Sequence, residues 1–134
     1  MILGIGSDVL EVSRVERELA RHGAFVPGEV FTAAEVAACA ATRRPAEHLG
    51  ARFAAKEAFL KALGSGARGL GAFPEVEVIE EPKGTPRLRL HGAVRAEAAR
   101  RGVTRVFVSL SHTPEVASAL VVLEQLPLEH SSSM

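Results

Sequence analysis

The stretch PAEHLGARFAAKEAFLKALG, residues 45–64, restricts the fold more than any other segment. On a helical wheel at about 100° per residue, Leu49, Phe53, Leu60 and Leu63 fall on one side and Ala51, Ala54, Ala55, Ala58 and Ala62 on the other. A helix that is apolar on two faces needs neighbours on both, so this one is expected at the centre of its domain. Pro45 suits a first helical turn and Gly64 a C-terminal stop. Between the two apolar faces project Glu57 and Lys61, one turn apart, with Arg52 and Lys56 near the other margin. Two readings of these charges stay open. They form i,i+4 surface pairs worth a few tenths of a kcal/mol, or they are held at the rim of a buried helix because a charged ligand needs them.

The remaining elements follow from period and punctuation. Residues 2–7 read as a short buried strand with two glycines. Ser13 and Glu16 form an S-x-x-E capping box for a helix running to about Gly23, and Thr32 and Glu35 repeat the device for a second helix. EVEVIE and PRLRLH flank EPKGT as a hairpin, AVRAEAARRG is a short helix closed by glycine, and TRVFVSL and VASALVVLE are strands around the turn SHTPE. The order is β-α-α-α-β-β-α-β-β, and hairpin-like connections make the sheet mainly antiparallel, which is an α+β fold.

With 134 residues, nearly half of them hydrophobic, the chain can bury a core without staples. Residues 1–126 read as one domain and 127–134 as a polar tail, in which Leu128-Glu129-His130 resembles an expression-vector remnant. The single cysteine, Cys39, sits among alanines and reads as a small buried hydrophobe. Sixteen basic residues balance sixteen acidic ones, so no global field favours nucleic acid or a membrane surface. No secretory leader and no membrane span is visible, which points to a cytoplasmic protein.

Asp8 and His112 are the other residues that invite a functional reading. Asp8 closes the apolar opening strand, where it caps a turn or serves a ligand. If it met a second carboxylate, their repulsion would call for a cation, and hard oxygen ligands with open positions suit Mg²⁺. His112 ends an apolar strand in VSLSHTPE, as a satisfied turn residue or a proton acceptor. No G-x-S-x-G elbow is present to make a nucleophilic triad.

GIGSDVLEVSRVER, ARFAAKEAFLKALG and VSLSHTPEVASALVVLE together resemble the holo-[acyl-carrier-protein] synthase family, the short bacterial class of 4′-phosphopantetheinyl transferase. The resemblance implies transfer of 4′-phosphopantetheine from coenzyme A to a serine of apo acyl carrier protein, in fatty acid biosynthesis, with release of adenosine 3′,5′-bisphosphate. It implies Asp8 and Glu57 as ligands of Mg²⁺ (or Mn²⁺), and Lys61 as a catalytic residue that reaches the phosphates and helps position or deprotonate the serine. His112 or Glu57 would take the serine proton. Arg52, Lys56, Ser65 and Gly66 would contact coenzyme A. Arg14, Arg17 and Arg21, a stripe on the first helix, would dock the acidic carrier, and the active sites would lie at the subunit boundaries of a homotrimer. The continuously apolar VASALVVL agrees with such a boundary. Thr113 follows His112 where some relatives carry aspartate, so no acid adjoins the histidine in sequence. Two other readings are carrier domains of polyketide or peptide synthases as targets, and a non-catalytic nucleotide-binding or interaction module on the same scaffold.

Overall fold

The computed structural model describes residues 1–22, 29–64, 73–81 and 84–127. The expected element order is observed: β1 (Ile2–Glu11), α1 (Val12–His22), α2 (Ala33–Ala40), α3 (Pro45–Leu63), β2 (Val76–Glu80), β3 (Pro86–Leu90), α4 (Gly92–Arg100), β4 (Arg105–His112) and β5 (Val116–Glu124). All strand pairings are antiparallel, but they form two sheets, a three-stranded one in the order β1-β5-β4 and the β2-β3 hairpin.

Helix α3 lies on the three-stranded sheet with its alanine face inward, Ala54, Ala55 and Ala58 being fully buried. The two glycines of β1 make this approach possible. A Cβ on Gly6 would stand 1.9 Å from the Ala58 carbonyl oxygen, and one on Gly4 would stand 2.1 Å from that of Ala62. At the other end Gly50 faces Leu10, whose Cδ1 lies 3.3 Å from where a Cβ would be. The helix therefore runs antiparallel to β1, one turn for every two strand residues. The two rises nearly match, about 6 Å for four helical residues and about 6.6 Å for two strand residues.

Two local expectations need correction. Strand β1 continues to Glu11, so Asp8 lies inside it and not at its end. The strand runs straight into α1, which begins at Val12. Ser13 is therefore inside the first turn and is not the cap of a box with Glu16. Strand β5 is the central strand of its sheet, as its continuous apolar run requires; Ala117, Ala119, Val121 and Leu123 are buried under α3, while Val116 and Leu120 face outward and are exposed.

The Thr32–Glu35 capping box does form. Glu35 does more than cap. Its carboxylate is buried, accepting from the Thr32 and Val78 amides at 2.9 and 2.8 Å and from Lys56 Nζ at 2.8 Å. Lys56 also donates to the carbonyls of Phe73 and Val76, at 2.9 and 2.7 Å. Cys39 is fully buried, and loss of hydration pushes its thiol up to about 11, so it stays protonated at neutral pH.

The face of the three-stranded sheet away from α3 is different. Ile5, Val9, Phe107, Val116 and Leu120 are exposed there, beside Ser7, Ser109 and Ser111. Strand alternation explains it, since residues that point away from a covering helix have nothing else among the described residues to pack on.

Candidate active site

The functional side chains sort onto two flanks of α3. At about 100° per residue, Glu57 and Lys61 fall roughly 140–180° from His48 and Arg52 around the helix. Asp8 points to the helix side of β1, at a level between Ala58 and Gly50, and so close to the turn that carries Glu57. Lys61 Nζ donates to Asp8 Oδ1 at 2.9 Å and to the Ser7 carbonyl at 3.1 Å. The second bond uses the fact that β1 is an edge strand. The pair is half open, with 45% of the Lys61 side chain and 19% of the Asp8 side chain accessible. A cavity of about 560 Å³ connects it with Ser109, Ser111 and Leu120 on the outer sheet face.

The opposite flank holds His112. Its Nδ1 lies 2.8 Å from Glu47 Oε1, and its ring meets that of His48 edge-on with centroids 4.8 Å apart. Burial, then the neighbouring His112 and Arg52, lower the His48 pKa, which keeps that ring neutral at pH 7. Arg52 is almost wholly buried, with Nη2 3.3 Å from Glu80 Oε1 and a buried Nε that has no hydrogen-bond partner among the described residues. His48, Arg52, Glu80 and His112 share a cavity of about 170 Å³.

Lys56 does not belong to either surface. Its three donors are spent on one carboxylate and two carbonyls, and the side chain is fully buried. It has nothing left for a coenzyme A phosphate, so the expectation of a contact there is withdrawn. Lys56 instead ties α3 to α2, to the first residue of β2 and to Phe73 before it. Ser65 and Gly66 lie outside the described residues.

On α1, Val12 and Val15 are buried while Arg14, Arg17 and Arg21 are exposed, so the stripe faces solvent as its spacing requires. The Arg14 guanidinium lies 6.0 Å from the Phe53 ring centre. Arg14 and Arg17 line a groove of about 370 Å³ with Val9 and Val116.

Two acids escaped the sequence reading. Glu47 carried a signal as a carboxylate in the first turn of a helix, where the dipole favours it. The T-x-x-E spacing assigns Glu35 to its cap and gives it no further task there. Pairing with His112 and Lys56, sixty-five and twenty-one residues away, left no local trace.

Among the described residues, no three His, Cys, Asp or Glu side chains gather as a metal cage. Asp8 and Glu57 would supply two hard oxygen donors, which suits a cation that takes its remaining ligands from water and phosphate. Lys61 adds a positive charge beside them.

The family model described as 4′-phosphopantetheinyl transferase superfamily matches residues 4–119. The holo-[acyl-carrier-protein] synthase of Moorella thermoacetica is 45% identical over 92% of this chain and 94% of its own. The crystal structure of the Neisseria meningitidis synthase superposes with a TM-score of 0.84 at 33% identity, covering 93% of this chain and all of that one. The Bacillus anthracis synthase, solved in complex with CoA (3′,5′-ADP), gives 0.75 at 32% identity, over 94% and 99% of the two chains.

Proposed function

The chain belongs to the 4′-phosphopantetheinyl transferase superfamily, and from that premise we propose that it moves 4′-phosphopantetheine from coenzyme A to a serine of apo acyl carrier protein, releasing adenosine 3′,5′-bisphosphate. The observation that carries this reading is Asp8 clasped by Lys61 at a cavity mouth, beside the turn of α3 that bears Glu57.

In this reaction a serine oxygen bonds to the phosphorus that carries pantetheine, and the bond from that phosphorus to the adenosine side breaks. Positioning and charge neutralisation are the protein's main work. Asp8 and Glu57 would hold a divalent ion, Mg²⁺ or Mn²⁺, which when bound supplies charge neutralisation at the pyrophosphate. Lys61 gives up its contact with Asp8 to reach a phosphate oxygen. Arg52, which lines the cavity shared with His48 and His112, offers its guanidinium charge to a second phosphate. Between Glu57 and His112 as acceptor of the serine proton, the contact with Glu47 favours His112.

His112 and Asp8 lie on opposite flanks of α3, so one copy of the chain does not converge on one substrate. The exposed apolar sheet face adjoins the Asp8 cavity and supports self-association there. In a homotrimer, the assembly that the resemblance implies, each site would combine Asp8, Glu57 and Lys61 of one copy with Arg52 and His112 of the next. Arg14, Arg17 and Arg21 then give an acidic carrier a local docking stripe that salt would weaken.

The test is to incubate the protein with coenzyme A, Mg²⁺ and a purified apo acyl carrier protein and to weigh the carrier intact. A gain of one phosphopantetheine is expected, and it should disappear in Asp8→Asn and Glu57→Gln while their far-UV circular dichroism stays native. No gain on an apo carrier protein, nor on a carrier domain of a polyketide or peptide synthase, would overturn the transferase reading.

A further inference from the structure

His112 has no acidic sequence neighbour, yet the fold brings one to it from sixty-five residues away. The Glu47 side chain is 91% buried and that of His112 is 30% accessible, so the acid is the fixed partner and the imidazole the presented one. Three features hold the carboxylate still. It sits in the first turn of α3 with its own amide donating to the Arg44 carbonyl at 3.1 Å. The helix dipole favours a negative charge at that end. Arg44 Nε lies 3.6 Å from its second oxygen, Oε2, which has no hydrogen-bond donor of its own.

A neutral imidazole has one N–H and one lone pair, and an ionised carboxylate can only accept. The 2.8 Å contact therefore puts the hydrogen on Nδ1 and leaves the lone pair on Nε2. The edge-on ring of His48 restrains the imidazole from turning over. Arg52, Glu80 and His48 are the other ionisable groups in the same cavity.

We propose that Glu47 is a positioning residue for the transfer reaction: it selects the Nδ1–H tautomer of His112 and so aims the Nε2 lone pair at the serine proton. The step balances, because the proton leaving the serine oxygen goes to Nε2 as the oxygen–phosphorus bond forms, and Glu47 itself exchanges no proton. This rests on the transferase reading and adds to it the group that sets the histidine's acceptor nitrogen.

The test reads the tautomer directly. In protein labelled with ¹⁵N histidine, the His112 signals are assigned by their loss in His112→Asn, and long-range proton–nitrogen spectra report which nitrogen is protonated. The Nδ1–H form is expected in the wild type. Glu47→Gln can donate as well as accept, so it should admit the Nε2–H form and lower kcat by on the order of 10²-fold, the usual scale of a lost proton acceptor. KM for coenzyme A should stay within about twofold, since binding is untouched. Glu47→Asp keeps the charge and should restore the Nδ1–H form should the glutamine variant fold poorly. An Nε2–H tautomer in the wild type, or a glutamine variant with unchanged tautomer and kcat, overturns the inference while leaving carrier modification intact. Loss of modification with the wild-type protein would instead overturn the reading beneath it.

Discussion

Lys56 shows how one side chain can look functional and be structural. A charged residue at the margin of an apolar helix invites a ligand, yet burial lowers the Lys56 pKa and the Glu35 carboxylate opposes that shift by holding the charged form. Removing one partner of such a pair leaves the other charge buried and unpaired, at a cost of about 3–5 kcal/mol. Lys56→Met should therefore lower unfolding free energy by roughly that amount in urea titration. The double variant with Glu35→Leu should recover only part of it, because Glu35 also satisfies the amides of Thr32 and Val78. A single variant as stable as the wild type would mean that the pair contributes little. Arg52 is the contrasting case, nearly as buried but with its Nε left without a hydrogen-bond partner among the described residues.

Between elements, the decisive contact is α3 on β1. Gly4 and Gly6 were legible only as part of an apolar strand, and their purpose appears once the helix backbone is seen above them. Gly6→Ala would drive a Cβ to 1.9 Å from a helix carbonyl, an obstacle that no rotamer change can relieve. Overpacking of this kind costs roughly 1–3 kcal/mol, and a backbone obstacle belongs at the upper end. The displaced helix would also carry Lys61 away from Asp8. A fall in urea midpoint together with a loss of carrier modification is the expected outcome, and a variant with wild-type stability would show that the helix does not sit where the glycines place it.

For the whole molecule, the exposed sheet face and the two-flank distribution lead to one expectation. Phe107 is 48% exposed, so Phe107→Lys should leave the protomer folded while removing apolar surface from the outer face. Sedimentation velocity should show the wild type associated and the variant dissociated, with carrier modification lost in parallel. A wild-type monomer with full activity would refute a site shared between copies. No helix among the described residues is long and apolar enough to cross a membrane.

Local chemistry is what the amino-acid order alone determined. The element sequence, the ends of α3, the Thr32–Glu35 box and the two-faced helix all follow from side-chain period and from the backbone preferences of proline and glycine, which act within a few residues. The family resemblance reached Asp8, Glu57, Lys61 and His112, and spacing put Glu57 and Lys61 on one flank of α3, but nothing in the sequence said on which flank Asp8 and His112 would stand. Only tertiary structure decided that, because strand pairing and helix packing join residues tens of positions apart. It separated Lys56 from Arg52, put Asp8 inside a strand, and brought Glu47 to His112. Burial and long-range hydrogen bonding depend on which surfaces meet, and a linear pattern records only that an apolar surface exists.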